Sequence, residues 1–124
     1  MQSDSTATIK ELKRVIAEFI KEREWDRYHH PKEVAVSLNV EAGELLEIFQ
    51  WMEKEKNPVE AIKKNPELME KIRDELADVF GYTLDFASRL DIDLAQAFLK
   101  KMEKNEKKYP VHKSKGNHKK YTEL

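Results

Sequence analysis

The sequence has no cysteine, only three glycines and no long apolar run. Without cysteine it can form neither a disulfide nor a thiolate metal site. A helix that spans a bilayer needs about 20 apolar residues in succession, and no segment approaches that length. The N-terminal residues 1–10 also lack the apolar core of a signal peptide. We therefore expect a protein that does not enter a membrane and that resides in the cytoplasm.

The residues that are abundant are those of a folded helical domain. Charged residues make up 38% of the 124 residues and apolar ones 40%, which is too apolar for a disordered chain. The net charge of −1 hides an asymmetry, because residues 100–124 carry nine Lys and three Glu and the remainder carries −7. The basic segment could bind nucleic acid, or it could place cations beside a polyphosphate whose metal sits on the acidic body.

The spacing of apolar residues predicts an all-α, antiparallel four-helix bundle. Thr8 and Glu11 match a capping box, which predicts the start of a first helix, and the helical spacing of apolar residues continues to about Trp25. The later helices are predicted over 31–54, 66–90 and 94–109, with a short helix or turn before the third and with Asp91 or Asp93 as the cap of the last. The predicted domains are a flexible N-terminus (1–8), a helical domain (9–110) and an extended basic C-terminal tail (111–124).

Two pairs of acids interrupt helix faces that are otherwise apolar. On a helical wheel Glu41 falls inside the apolar sector of the second helix and Glu44 lies at its edge. Glu75 borders the apolar sector of the third helix, and Asp78 comes next round the wheel. A carboxylate that faces a core is unfavourable unless it is protonated, paired with a cation or bound to a metal.

The number of pairs decides between two interpretations of these acids. A single pair would be better explained by salt bridges to neighbouring Lys or Arg. Two pairs on two helices favour convergence on one hard metal ion, and ligands that are all oxygen select Mg²⁺, with Mn²⁺ as the alternative, over zinc. A di-iron carboxylate bundle is disfavoured, because it needs Glu-x-x-His pairs and none of the four histidines lies three residues after a Glu.

Two tryptophans and a polar pair are further candidates for a binding site. Trp25 and Trp51 could belong to the core or to a subunit interface, or they could stack on a nucleobase. Lys101 and Asn105 share one face of the last predicted helix, where they form either a solvated surface or a contact with phosphate oxygens.

The motifs together resemble a known family. The segments EAGELLEIFQW (41–51) and DELADVFGY (74–82) resemble the all-α nucleoside triphosphate pyrophosphatase superfamily, which includes the MazG-like enzymes. The segments REWDRYHHP (23–31) and KMEKNEKKYPVHKSKGNHKKYTEL (101–124) are similar to the loop and C-terminal signature of its dCTP pyrophosphatase branch.

This resemblance implies roles for individual residues. It makes Glu41, Glu44, Glu75 and Asp78 the Mg²⁺ ligands and makes Glu41 or Glu44 the catalytic base, a choice that the sequence leaves open. The implied substrate-binding residues are Trp25 and Trp51 around the base, His29 beside the pocket, and Tyr82, Lys101 and Asn105 near the triphosphate or sugar.

The implied function is Mg²⁺-dependent hydrolysis of a nucleoside triphosphate, such as dCTP or a modified dCTP, to the monophosphate and pyrophosphate for nucleotide-pool house-cleaning. The branch forms homotetramers that are dimers of dimers, and nucleic acid is not an expected partner. Ile16 stands where mammalian members carry a His, which leaves the preferred base open. The alternative is a non-catalytic helical oligomer whose basic tail binds nucleic acid or a protein partner.

Overall fold

The computed structural model describes residues 1–124, which form six α-helices and no β-strand. The helices are α1 (Ile9–Glu22), α2 (Pro31–Gln50), α3 (Val59–Lys63), α4 (Pro66–Arg89), α5 (Leu94–Lys108) and α6 (Val111–Ser114). Short 3₁₀ turns occupy Asp26–Tyr28, Lys54–Lys56 and Tyr121–Glu123. The prediction of an all-α protein is confirmed, and no helix has the length and apolar character needed to cross a bilayer.

The capping box predicted for the first helix is present. The Thr8 hydroxyl accepts a hydrogen bond from the backbone N–H of Glu11 at 3.1 Å, and the Glu11 carboxylate accepts one from the backbone N–H of Thr8 at 2.7 Å. The Glu11 carboxylate accepts hydrogen bonds from the backbone N–H and the hydroxyl of Thr8, which hold the pKa of Glu11 below its usual value. Asp93, and not Asp91, caps α5 by accepting from the N–H of Gln96 at 2.9 Å.

α1 ends before Trp25 because the chain reverses at Glu24, whose φ of 55° is left-handed. The N–H of Trp25 donates to the carbonyl of Ile20, and the N–H of Glu24 donates to the carbonyl of Lys21, both at 3.0 Å. This pair of hydrogen bonds is the Schellman motif, which stops a helix and turns the next side chain back towards it. Trp25 is therefore placed by the end of α1 and is not part of the helix.

α2 is also shorter than predicted, because it ends at Gln50 and the prediction extended it to Lys54. Trp51 leaves the helical region with φ −113° and ψ 16°. The N–H of Met52 then donates to the carbonyl of Phe49, which tightens the last turn and closes the helix.

The chain divides into two compact units, Met1–Asp91 and Ile92–Leu124. In the first unit α4 is central, since α1, α2 and α3 all pack against it. α2 runs antiparallel to α4, because His29 before α2 contacts Asp85 near the end of α4 whereas Glu41 further along meets Glu75 and Asp78.

The second unit contains α5 and α6, and its C-terminal segment is not extended throughout as predicted. The carbonyl of Pro110 accepts hydrogen bonds from the N–H groups of Lys113 and Ser114 at 3.0 Å, which starts α6. The fixed φ of proline favours such a turn. Within this unit the rings of Tyr109 and Tyr121 meet edge to face at 6.0 Å.

Few apolar side chains of the first unit are fully covered. The buried ones are Ile20, Val34, Leu84 and Ala87. On a helical wheel Leu76 and Phe80 lie in the apolar sector of α4, which predicts that they are buried. In the structure 55% of the surface of Leu76 and 42% of that of Phe80 are exposed. The reason is geometric, because the stripe of α4 that faces α1 and α2 is narrower than its apolar sector.

The N-terminal cap of α4 makes a measurable contribution to stability. The Asn65 side chain accepts a hydrogen bond from the N–H of Leu68 at 3.1 Å. We expect Asn65→Ala to lower the free energy of unfolding by about 1 kcal/mol in urea titrations, because the N–H loses its partner. Asn39→Ala, an exposed position inside α2, is the matched control and should raise stability by a few tenths of a kcal/mol. Equal effects of the two substitutions would contradict the assignment of the cap.

Candidate active site

Carboxylates from α2 and α4 converge at the centre of the first unit. Glu41, Glu75 and Asp78 each offer one oxygen, and these oxygens all lie within 4.8 Å of one another. Residues three apart lie on the same face of a helix, which is why Glu75 and Asp78 both reach Glu41. The Glu44 carboxyl lies within hydrogen-bonding reach of both Glu41 and Glu75. The structure therefore brings all four predicted acids together.

The cluster is not neutralised by basic side chains. The salt bridges of the structure join other acids. One oxygen of Glu41 and one of Glu75, Oε2 in each case, are buried and have no hydrogen-bond partner. Burial, followed by the hydrogen bond and charge of Glu44 and the charges of Asp78 and Glu75, raises the pKa of Glu41 to about 7. Burial and then Glu44 also raise the pKa of Glu75.

This donor set fits a hard divalent cation. All the converging atoms are carboxylate oxygens, which Mg²⁺ and Mn²⁺ accept readily and which zinc structural sites seldom use alone. The two unpartnered oxygens supply lone pairs that no group of the protein satisfies. A cation held by Glu41, Glu75 and Asp78 would satisfy them and would offset the mutual repulsion.

A cavity of about 160 Å³ adjoins the cluster through Asp78. Its wall is contributed by α1, by α4 and by the turn that precedes α2. The lining residues are Ile16, Phe19, Ile20, Trp25, His29, Asp78, Gly81, Tyr82 and Asp85. An apolar cavity of roughly 150 Å³ in a protein core holds one benzene ring. The volume therefore matches a single six-membered ring beside a cation site.

Trp25 and Phe19 form the aromatic part of the cavity wall. Their rings meet edge to face, with centroids 5.9 Å apart and planes at 75°. Trp25 keeps 42% of its surface exposed, so its indole is available to a flat ligand at the mouth of the cavity. The sequence predicted Trp25 near a base, and the structure places it in this wall.

His29 and Tyr82 form the polar part of the wall. His29 Nδ1 lies 2.9 Å from Asp85 Oδ2, and the His29 ring stacks on Tyr82 with centroids 6.4 Å apart. Asp85 is buried with 3% of its surface exposed, and its Oδ1 accepts a hydrogen bond from Arg89 Nε at 2.9 Å. The network continues from Arg89 to Asp26 at 3.3 Å.

Three of the residues predicted to bind substrate lie elsewhere in the chain. Trp51 follows α2, is 86% exposed and is not part of the cavity wall. Lys101 and Asn105 lie one turn apart on α5 in the second unit, where the Asn105 amide nitrogen is 3.9 Å from Met102 Sδ. Their roles stay predictions.

Sequence reasoning did not select Asp85 as a site residue. An acid between Leu84 and Phe86 in an apolar stretch, four residues before Arg89, was the available signal. The long-range partner His29 could not be read from spacing, because the contact joins residues that are 56 positions apart. Ile16, which the resemblance marked as a departure, lies in the cavity wall.

The fold and the site define an all-α protein with a cluster of carboxylate oxygens next to a cavity the size of one ring. Comparisons with known proteins agree with that class. The sequence model of the MazG-like family matches residues 36–124. The chain is 39% identical to dCTP pyrophosphatase 1 of Bos taurus over 120 residues, which cover 97% of this chain and 70% of the bovine protein. The human dCTP pyrophosphatase 1 is 37% identical over 118 residues, covering 94% of this chain and 68% of the human protein.

A solved structure supports the same assignment. The crystal structure of a pyrophosphatase from Archaeoglobus fulgidus superimposes with a TM-score of 0.73 at 39% identity, covering 82% of this chain and 92% of the archaeal chain. The chain belongs to the MazG-like family, and the resemblance inferred from its motifs is confirmed.

The raised pKa values predict how the stability of the metal-free protein depends on pH. The folded protein retains protons on Glu41 and Glu75 that the unfolded chain releases at about pH 4.5. The stability that these protons provide is fully present below that pH and is lost as the pH rises through about 7. We therefore expect the Tm in EDTA to fall between pH 5 and pH 8.

The matched variants for this measurement are Glu41→Gln and Glu18→Gln. Glu41→Gln should flatten the decline, because a neutral amide does not lose a proton. Glu18, an exposed acid on α1, should leave the decline unchanged when replaced by Gln. A Tm that rises with pH in the metal-free wild type would contradict the electrostatic assignment.

Proposed function

We propose that this protein is a Mg²⁺-dependent nucleoside triphosphate pyrophosphohydrolase that converts dCTP, or a modified dCTP, to the monophosphate and pyrophosphate. By its similarity to the curated relatives it is a dCTP diphosphatase-like hydrolase. The observation that carries the proposal is the cluster of Glu41, Glu75 and Asp78, which shares Asp78 with a ring-sized cavity. A cation beside such a cavity suits a substrate that joins a base to a polyphosphate.

The metal is proposed to be Mg²⁺, with Mn²⁺ as the alternative. Mg²⁺ is typically held by a few carboxylates and completes its shell with water and substrate phosphate. Glu41, Glu75 and Asp78 would hold it, with Glu44 beside them. Bound there, a divalent cation supplies positive charge for the phosphate oxygens as negative charge develops during hydrolysis.

The cavity favours a pyrimidine over a purine. Its volume of about 160 Å³ matches one six-membered ring. Phe19 and Trp25 offer aromatic surfaces to that ring, and stacking on an aromatic side chain contributes about 1–3 kcal/mol per base. We assign the base to this cavity, and the shared residue Asp78 then places the triphosphate at the carboxylate cluster.

In the proposed reaction a water molecule attacks the α phosphorus. A bond forms between the water oxygen and that phosphorus, and the bond from the α phosphorus to the oxygen that leads to the β phosphorus breaks. Glu44 is the first candidate for the base that takes the proton, because it is exposed at the edge of the cluster, outside the trio whose oxygens converge. Glu41 is the alternative, because its carboxyl belongs to the same cluster and lies beside Glu44.

Lys101, Asn105 and Trp51 keep the substrate-binding roles that the family resemblance implies for them. The amino group of Lys101 and the amide of Asn105 are assigned to the triphosphate or sugar, because both can donate hydrogen bonds to phosphate or hydroxyl oxygens. Trp51 is assigned to the base, where its indole would stack. These assignments rest on the match of the sequence to the family motifs.

The protein is proposed to act as a homotetramer that is a dimer of dimers. The first unit leaves large apolar side chains uncovered on α2 and α4, and these are Val36, Val40, Leu46, Leu76 and Phe80. So much exposed apolar surface is typical of an interface and is unfavourable in a monomer. Location in the cytoplasm and a role in clearing surplus or modified nucleotides are part of the same proposal.

Removing ligands tests the site directly. We expect Glu41→Gln and Asp78→Asn to lower kcat/KM for dCTP by at least about a hundredfold, because even substitutions behind the ligands of a metal often have an effect of that size. Helical circular dichroism should remain as in the wild type. The assay scores pyrophosphate and orthophosphate separately over a panel of nucleoside triphosphates with Mg²⁺.

Glu18→Gln removes an exposed carboxylate of α1 that is not part of the cluster, and this variant should keep full activity. The site assignment is wrong if both cluster variants hydrolyse dCTP at a rate near that of the wild type. Orthophosphate as the sole primary product would exclude cleavage between the α and β phosphorus atoms.

Light scattering tests the assembly. We expect a mass of four times the 14.7 kDa of one chain at micromolar concentration. Leu46, 67% exposed on α2, should break the assembly when replaced by Lys, because a charge would be buried at the interface. Asn57→Lys, at an exposed position before α3, controls for the gain of one positive charge. A wild-type mass of one chain would contradict the proposal.

A further inference from the structure

Asp85 is a fully buried carboxylate that the proposed mechanism does not use. We propose that Asp85 is a positioning residue that holds His29 with Nε2 as a hydrogen-bond acceptor for the ligand of the cavity, and that this acceptor selects a base with an amino group. The inference rests on the proposed function, because it assumes that the cavity receives the base. It goes beyond that function by naming the groups that distinguish cytosine from uracil.

Both oxygens of Asp85 already have partners. Oδ1 accepts from Arg89 Nε at 2.9 Å, and Oδ2 lies 2.9 Å from His29 Nδ1. An ionised carboxylate can only accept hydrogen bonds, so His29 Nδ1 must carry the hydrogen. In a neutral imidazole the other nitrogen then has a lone pair and no hydrogen. When the imidazole is neutral, His29 therefore presents Nε2 as an acceptor.

The His29 ring is held on its edge and on its face. Asp85 fixes the edge, and Tyr82 stacks on the face with the planes at 22°. The backbone is also fixed, because α2 starts two residues later at Pro31. The direction of Nε2 is thus set by the fold.

An acceptor in this wall discriminates between two bases of equal size. Cytosine carries an amino group, a donor, at the position where uracil carries a carbonyl oxygen, an acceptor. His29 Nε2 can accept a hydrogen bond from the amino group of cytosine. In uracil the carbonyl oxygen takes that position, and the lone pairs of the oxygen and of Nε2 repel each other. The side chains of Ile16, Phe19 and Ile20 in the same wall are apolar and cannot make this distinction.

The substitution Asp85→Asn should reverse the polarity of Nε2 without changing the size of the side chain. The Arg89 guanidinium can only donate, so the amide oxygen of the new side chain remains with Arg89. The amide nitrogen, which is a donor, then faces His29 Nδ1. The imidazole then adopts the tautomer with hydrogen on Nε2, which becomes a donor.

The first measurement is the tautomer of His29, read from the ¹⁵N shifts of its ring in long-range proton–nitrogen NMR spectra of the full chain at pH 8. We expect hydrogen on Nδ1 in the wild type and on Nε2 in Asp85→Asn. The wild-type spectrum needs neither substrate nor variant. Hydrogen on Nε2 in the wild type would overturn the inference.

The second measurement is the ratio of kcat/KM for dCTP to kcat/KM for dUTP. We expect Asp85→Asn to lower this ratio by about tenfold or more, the effect of one lost hydrogen bond together with one new repulsive contact. Asp26→Asn is the matched control, because it breaks the outer ion pair with Arg89 and leaves Asp85 bonded to His29. Its ratio should equal that of the wild type.

A purely structural role for Asp85 gives a different result, since both substrates would then lose activity equally and the tautomer would not change. That result overturns the inference. His29→Leu provides a second variant in case Asp85→Asn does not fold, and an unchanged dCTP-to-dUTP ratio in His29→Leu also overturns it. If the wild type hydrolyses neither nucleotide, the proposed function fails, and the NMR spectrum still decides whether Asp85 orients His29.

Discussion

Repulsion between carboxylates that two packed helices hold together is the interaction on which the rest of the structure depends. Glu41 and Glu44 come from α2, Glu75 and Asp78 come from α4, and no basic side chain forms a salt bridge with them. Burial and mutual charge raise the pKa of Glu41 to about 7, so the metal-free protein relieves the repulsion with protons. A divalent cation would relieve it with charge, and it would displace those protons on binding. The packing of α2 on α4 therefore favours the binding of a cation by the carboxylates of these two helices.

Helix α4 carries residues of both the carboxylate cluster and the cavity wall. Its turn at Glu75 and Asp78 carries half of the carboxylate cluster, and the next two turns carry Tyr82 and Asp85 in the cavity wall. The distance between the carboxylate cluster and the cavity is therefore set within one helix. α1 and the turn before α2 close the other side of the cavity, where the Schellman motif places Trp25 and the Asp85 carboxylate holds His29. The carboxylate cluster and most of the cavity wall are in this way positioned by helices, which hold side chains more precisely than loops do.

Much of the fold followed from local signals in the sequence. The helix caps rest on hydrogen bonds between residues three apart, and so Thr8 could be predicted and Asp93 was one of the two caps predicted for α5. The convergence of the four acids could also be predicted, because their wheel positions depend only on helical geometry. The end of α1 could not, since a left-handed Glu24 has no strong sequence signature. The exposure of Leu76 and Phe80 was missed because a wheel shows which residues are apolar and not what covers them. The contact of His29 with Asp85 depends on tertiary packing and has no local signal.

In the proposed reaction the carboxylate cluster directs water to the α phosphorus of a nucleoside triphosphate. The most direct test is hydrolysis of dCTP with Mg²⁺ in water enriched in ¹⁸O, followed by mass spectrometry of both products. We predict one ¹⁸O atom in the nucleoside monophosphate, none in pyrophosphate, and one pyrophosphate for each dCTP consumed. Label in pyrophosphate, or release of orthophosphate as the first product, would contradict the claim.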